Sequence, residues 1–222
     1  MKNGCFVLIL LATSSCYHEA NHVYKAPPER IKDVTINLAD NSGRQGKVTI
    51  SLPARYDTVF NWINYSDCSS CIDFRYRVQP KNRILLKENG FFWEIPQDSI
   101  ERFTIVHADS YGVKRKVDSS SVFTFHNSEQ KDNLARFRGK IPTGVLLSDT
   151  IEKINNRFFS IFAYSEHDSL NQYTFQRLEA VTITKSVLLR FTFELRVARE
   201  APLSKEFLSH SRYYLRTLKL SE

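Results

Sequence analysis

The stretch that decides the fold is Tyr173–Thr184 (YTFQRLEAVTIT), followed by Lys185-Ser186 and then Val187–Val197 (VLLRFTFELRV). Both arms are rich in Val, Ile, Leu, Phe, Tyr and Thr, the residues that fit a pleated, half-buried surface. Only two polar residues separate them, so they predict a long antiparallel β pair. Working outward, the same period of two recurs. Val34–Leu38 and Lys47–Leu52 flank the turn-rich Asp40–Gly46, a hairpin. Ile72, Phe74, Tyr76 and Val78 alternate with Asp73, Arg75 and Arg77, which predicts a strand with one apolar and one charged face. Ile84–Leu86 and Phe91–Ile95 flank Glu88-Asn89-Gly90, a second hairpin whose turn signal is Asn-Gly. Phe103–Ala108, Val122–His126 and Phe158–Tyr164 read as further strands.

The end of the chain breaks this pattern. After Pro202, Ser204 is a good N-cap, and Phe207, Ser211, Tyr214, Leu215 and Leu218 fall on one helical face. Arg212, Arg216 and Lys219 near its end suit the helix dipole. A second helix over Glu129–Arg138 competes with a strand at Leu134–Arg138. The expected fold class is therefore α+β: a mostly antiparallel sheet with a C-terminal amphipathic helix packed on it. The order of strands, Leu52-Pro53, sheet and terminal helix is loosely similar to the Mog1/PsbP-like fold.

Composition sets outer bounds. The 222 residues are 42% hydrophobic and 25% charged, a globular profile that excludes disordered and collagen-like chains. No apolar run approaches the ~20 residues a membrane-crossing helix needs. The net charge is +7, so a polyanionic surface is a conceivable partner.

The N-terminus carries an address. Met1-Lys2-Asn3 is a short basic start, Cys5–Ala12 an eight-residue apolar run, and Thr13-Ser14-Ser15 precede Cys16. That arrangement describes a secretory signal too short to be a membrane anchor. At Cys16 it resembles a bacterial lipoprotein precursor, cut by signal peptidase II before a Cys that carries lipid. Ser14 and Ser15 match the small residues expected before that Cys, while Thr13 departs from the usual Leu. The resemblance covers about the first twenty residues. It implies a signal peptide over 1–15, acylation at Cys16, and residence in the cell envelope. By the same analogy, Tyr17 in place of Asp favours the outer over the inner membrane. Residues 16–30, polar and containing Pro27-Pro28, read as a flexible tether, and 31–222 as one β-rich domain. Of four cysteines, Cys68 and Cys71 then remain, an even pair in an oxidising compartment.

Cys68-Ser-Ser-Cys71 leads straight into a strand, where a thioredoxin-like redox pair would open a helix. A structural disulfide is the expected state, with an envelope thiol-disulfide protein as the alternative function. A single C-x-x-C cannot form a four-cysteine zinc site. His18-Glu19-Ala20-Asn21-His22 fits H-E-x-x-H, the zinc-binding pattern of metallopeptidases. It lies in the tether, where no cleft shapes a metal site or excludes water from it, so no metal is expected. Ser128–Lys131 fits S-x-x-K but lacks the S-D-N and K-T-G that give it meaning. His107 and His126, in strand-like runs, read as hydrogen-bonded structural histidines.

Arg75, Arg77, Lys81, Arg83 and Lys87 form a basic run with no acid between them, and Lys114-Arg115-Lys116 a second cluster. The run reads as a solvated, charged strand edge that discourages aggregation. The functional alternative is contact with anionic headgroups or envelope polysaccharide; an exported protein has little occasion to meet nucleic acid. Asp57-Thr-Val59, Asp98-Ser-Ile100, Asp149-Thr-Ile151 and Asp168-Ser-Leu170 resemble the acceptor of an envelope O-glycosylation system, though Asp-Ser pairs also mark turns. No catalytic constellation and no cofactor signature emerges. The expected function is a non-enzymatic binding or scaffolding domain tethered through Cys16.

Overall fold

A computed structural model describes Tyr24 and residues 26–40, 43–65, 72–81, 100–108, 120–139, 144–168, 172–184, 187–198 and 201–221. Residues 1–15, Cys16, His18–His22, Cys68, Cys71, the hairpin expected over 84–95 and Lys114–Lys116 lie outside the described residues.

The strands are β1 (Ile31–Asp40), β2 (Gly43–Pro53), β3 (Thr58–Asn64), β4 (Asp73–Gln79), β5 (Ile100–Ala108), β6 (Gly144–Ile154), β7 (Arg157–Asp168), β8 (Tyr173–Thr184), β9 (Val187–Ala198) and β10 (Lys219–Ser221). Helix α1 (Ser120–Gly139) precedes β6, and α2 (Pro202–Arg216) precedes β10. Seven strands form one sheet in the order β3-β4-β5-β9-β8-β7-β6, and β1-β2-β10 form a second. Every pairing among them is antiparallel. The fold is α+β, a mostly antiparallel sheet with a helix near the C-terminus packed on it, as the sequence predicts.

The central pair behaves as its sequence predicts: β8 and β9 stay in register from Tyr173 opposite Ala198 to Thr184 opposite Val187. The β6–β7 hairpin turns on Asn155 and Asn156, both at positive φ (47° and 67°), as a tight two-residue turn between twisted strands requires. Asn155 also donates to the carbonyls of Arg216 and Leu218, satisfying acceptors that α2 leaves open at its end. In the β1–β2 hairpin the register slips between Leu38 and Ala39. The Tyr76 hydroxyl on β4 accepts from the Ala39 N–H (2.9 Å) and donates to the Ala39 carbonyl (3.0 Å), so the bulge ties the two sheets together.

The main core lies between the sheets, on one face of the seven-stranded sheet. It is built by alternate residues of successive strands: Phe74, Tyr76 and Val78; Phe103 and Ile105; Leu189, Phe191, Phe193 and Leu195; Leu178 and Ala180; Phe159 and Ile161. Val34, Ile36, Leu38, Val48, Ile50 and Leu52 close it from the small sheet, and Phe207, Tyr214 and Leu215 from α2. Phe103 packs on Phe193 at 4.7 Å between ring centroids. Each such fully buried ring contributes about 1.5–3 kcal/mol of transfer free energy.

Three expectations are corrected. Val122–His126 is not a strand, and Glu129–Arg138 is not separate: one helix runs from Ser120 to Gly139. The Phe123/Phe125 alternation mimics a strand locally. In the helix, Val122 and His126, four apart, face the sheet, and Phe123 meets Phe158 edge-on at 5.3 Å. Ser204 does not cap α2. The cap is Ala201, because Pro202, with its fixed φ and missing N–H, suits the first helical position. The Ser204 hydroxyl instead donates to the Ala201 carbonyl. Lastly, β4 is no edge: it runs between β3 and β5, and Arg77 is only 3% exposed.

Candidate anion-binding face

The opposite face of the seven-stranded sheet has two halves. Over β6, β7 and β8 it is covered by α1. Over β4, β5, β9 and the near part of β8 there is a concavity of about 440 Å³ lined by Asp73, Arg75, Arg77, Arg102, Thr104, Val106, Arg177, Arg190, Thr192 and Glu194, among others. The antiparallel register assembles it. Arg77 stands opposite Thr104, Thr104 opposite Thr192, and Thr192 opposite Glu179. On one side of that row come Arg75, Val106 and Arg190, and on the other Arg102, Glu194 and Arg177.

A half-buried arginine needs partners, and these have them. Glu194 takes both Arg102 and Arg177, Glu179 takes both Arg177 (2.8 Å) and Arg190 (3.3 Å), and Arg75 lies 3.4 Å from Asp73. Arg77 lies over the Trp62 ring at 4.8 Å and the Phe60 ring at 5.9 Å, both on β3. Its Nε also donates to Thr104 Oγ1. Burial works to lower the Arg177 pKa, but Glu179 and Glu194 outweigh it and the pKa is raised, so its positive charge is permanent. Five guanidinium groups thus line this concavity, and among the described residues Asp73, Glu179 and Glu194 are the carboxylates that pair with them.

Of the expected basic run, the fold brings Arg75 and Arg77 into this hollow. Lys81 lies apart, its backbone N–H donating to Asp57 (2.7 Å), and Arg83 and Lys87 are outside the described residues. Sequence reasoning missed Arg102, Arg177 and Arg190, which come from three other strands. The available signal was parity: Arg102 and Thr104 flank Phe103 in β5, and Arg190, Thr192 and Glu194 in β9 occupy every second position between apolar residues.

Beneath α1 lies a second polar group. His126 Nδ1 is 2.9 Å from Ser160 Oγ, and Nε2 is 3.1 Å from Asp149 Oδ1. Gln130 donates to the other Asp149 oxygen at 2.8 Å, and the imidazole stacks on Phe162 at 4.9 Å. The residue types are those of a serine nucleophile with its base and acid. A nucleophile must meet a substrate, however, and Ser160 is 0% exposed under the helix. The cluster is a polar clasp that joins α1 to β6 and β7. Burial lowers the His126 pKa, and Asp149 opposes that shift. Asp149, part of a D-T-I glycosylation pattern in the sequence, has its carboxylate engaged in this clasp. Ser128 and Lys131 of the S-x-x-K match are both exposed on α1, with no partner motif beside them in the sequence. His107 is a buried core residue, stacked on Phe74 at 5.4 Å with Nδ1 3.0 Å from the Ala108 carbonyl.

On the core side, the chain ahead of β1 is docked. Tyr24 sits against Arg216 at 4.8 Å and Arg212 at 5.7 Å, and its hydroxyl accepts from Arg212. Pro27 is buried, and Glu29 accepts from the Tyr214 hydroxyl (2.8 Å) and pairs with Arg55. Burial pushes the Tyr214 pKa up to about 12, so that hydroxyl stays a donor. The packed body therefore takes in Tyr24 and Glu29, which composition alone assigns to the tether.

Among the described residues, no group of three or more His, Cys, Asp and Glu side chains is placed to hold a metal ion. No helix among them is long and apolar enough to cross a membrane.

No protein-family model matches the chain, and no curated protein does. Among solved structures, cyanobacterial PsbP from Synechocystis aligns over 84% of this chain and 92% of its own, at 12% identity and a TM-score of 0.41. LpqN of Mycobacterium tuberculosis, described as involved in cell envelope biogenesis, aligns over 87% and 93%, at 10% identity and a TM-score of 0.38. A Pseudomonas aeruginosa protein of unknown function aligns over 85% and 98%, at 10% identity and a TM-score of 0.36. Likeness at this level says nothing of what the present chain binds.

Proposed function

We propose that this chain is a lipid-anchored protein of the bacterial cell envelope, acylated at Cys16, whose domain is a non-catalytic binding module for an anionic ligand. The anchor rests on the signal-like residues 1–15 and the small residues before Cys16. The binding role rests on one structural observation: Arg75, Arg77, Arg102, Arg177 and Arg190, from four strands, line one open concavity. Buried charge is costly, and a fold that needed only stability would fill such positions with apolar side chains. Tyr17 after the lipid-bearing Cys favours the outer membrane as the place of anchoring.

Each half has its test. Wild-type protein should sediment with membranes and yield an N-terminal peptide beginning at an acylated Cys16. Two or more acyl chains hold firmly, at ~0.8 kcal/mol per buried CH2, where one would not. Cys16→Ala should be soluble or unprocessed; unchanged acylation in that variant overturns the anchor. For the domain, retention on a polyanionic resin should fall in an Arg75→Gln, Arg190→Gln double variant by more than two lost charges elsewhere on the surface would cause. Equal loss from distant charge removals would reduce the binding role to general basicity.

A further inference from the structure

The chain joins the packed body on one side and is pinned there at several points. Glu29 accepts from Tyr214 of α2 and pairs with Arg55, and Arg55 in turn donates to Glu101 (3.1 Å), whose side chain is only 2% exposed. The Arg30 carbonyl accepts from the Ala54 N–H (2.8 Å), and Pro27 is buried. Tyr24 lies against Arg212 and Arg216, and Arg212 is itself paired with Glu152 of β6. Arg212 and Arg216, four apart, share one stripe of α2 with Lys205, two turns earlier, and both Lys205 and Arg216 are exposed. This strap and α2 lie on the core side of the seven-stranded sheet. The arginine hollow and α1 lie on its other face.

We propose that the strap decides which side of the domain meets the membrane: the Tyr24–α2 side lies on the lipid surface that holds Cys16, and the arginine hollow faces away from it. The inference rests on acylation at Cys16 and adds to that reading an interaction surface and its partner. Cys16 lies eight residues before Tyr24, and eight residues span at most ~27 Å. A domain of this length is roughly 40 Å across, so that reach does not bring the far face of the sheet down to the lipid. A tether running free to Arg30, fourteen residues from Cys16, would reach ~48 Å and allow either face to lie down. Lys205 and Arg216, exposed on the near side, suit anionic headgroups. A ligand of the hollow then comes from the aqueous compartment and not from the leaflet that carries the anchor.

The test uses the full-length acylated protein in vesicles of phosphatidylcholine and phosphatidylglycerol whose headgroups carry an energy-transfer acceptor. A donor fluorophore is placed through a genetically encoded residue, which leaves the cysteines alone, at Lys205 on α2 or at Lys131, exposed on α1. The two helices lie on opposite faces of the sheet, each ~10 Å from it, so the Lys131 donor should stand roughly 20 Å farther from the lipid. Transfer should be strong from Lys205 and weak from Lys131. Equal transfer, or the reverse order, in protein that sediments with the vesicles overturns the orientation and leaves the anchor standing. Failure to sediment, with Cys16 free of lipid, removes the anchor and this inference with it. A Tyr24→Ala, Glu29→Gln variant frees the strap, gives the tether its longer reach, and should bring the two signals together at the same bound fraction. Tyr24→Phe keeps the ring on Arg216 and should behave as wild type, and a circular-dichroism melt of each variant reports that the body stays folded. Signals as far apart in the released variant as in wild type overturn the strap's part in the orientation.

Discussion

The two faces of the seven-stranded sheet are made by the same strands and held by different physics. On the core face, Phe103, Phe191 and Phe193 are fully buried and stability comes from apolar area removed from water. On the other, residues one position along the same strands, Arg102, Thr104, Arg190, Thr192 and Glu194, line an open hollow, with Arg102 paired to Glu194 and Arg190 to Glu179 of β8. Apolar packing has no direction and tolerates no void, whereas ion pairs are directional and keep space. The first face makes the sheet; the second carries an open, arginine-lined hollow.

The largest effect should come from the core face. Phe193→Ala leaves a cavity in a packed layer and should cost about 3–5 kcal/mol in denaturant unfolding, while retention of the folded protein on a polyanionic resin stays the same. A loss below about 1 kcal/mol would mean the core face is not the source of stability. Next comes Glu194→Gln, which removes the carboxylate shared by Arg102 and Arg177 and should cost about 2 kcal/mol. Because it also removes a negative charge from the hollow, the same variant should be held more tightly than wild type by a polyanionic resin. Weaker binding would show that Glu194 matters more for arranging the arginines than for its charge.

Cys68 and Cys71 precede β4, which contributes to both faces. We expect them to form a local disulfide, and replacing both with Ser should cost about 2 kcal/mol or less on the chain-entropy model, leaving anion binding intact. Two free thiols in protein taken from the envelope would refute the bond, and a reduction potential near those of catalytic pairs would favour the redox alternative.

The smallest expected effect is at the α1 clasp. Burial, opposed by Asp149, lowers the His126 pKa, so the unfolded chain binds a proton more readily than the folded one. Stability from this group is present above the unfolded value near 6.5, falls as the pH drops below it, and levels off below the depressed folded value. His210 shifts in the same direction through burial, with Glu206 opposing and Arg55 adding to it, so both histidines contribute to the slope. Melting temperatures between pH 7.5 and 5 should therefore decline in wild type and decline less in His126→Gln. An identical slope in the two would free α1 of any part in it.

Local periodicity went far. The β8–β9 pair was legible almost to the residue, because both strands alternate cleanly and only Lys185-Ser186 separates them. The buried face of α2 was legible too: Phe207, Ser211, Tyr214 and Leu215 repeat at helical spacing. Helix α1 was legible only in its second half, as the helix weighed over Glu129–Arg138, since the alternating Val-Phe-Thr-Phe-His run before it is a strand by local preference. It becomes a helix here by laying Val122 and His126 against the sheet. The arginine hollow was legible only in Arg75 and Arg77, the two members that are neighbours in sequence.

What the sequence determined by itself is parity: within each strand, which residues share a face, and that one face is apolar. It also carries the N-terminal signal on which the anchoring proposal rests. What only the tertiary structure decided is which strands lie side by side. Strand β5 pairs with β9, so Arg102 meets Glu194 and Val106 separates Arg75 from Arg190. Backbone hydrogen bonds look alike along every strand, and local pattern cannot name a partner so distant in the chain. The choice falls to the core face, where the large rings pack in one arrangement, and the charged face inherits the register that the core selects.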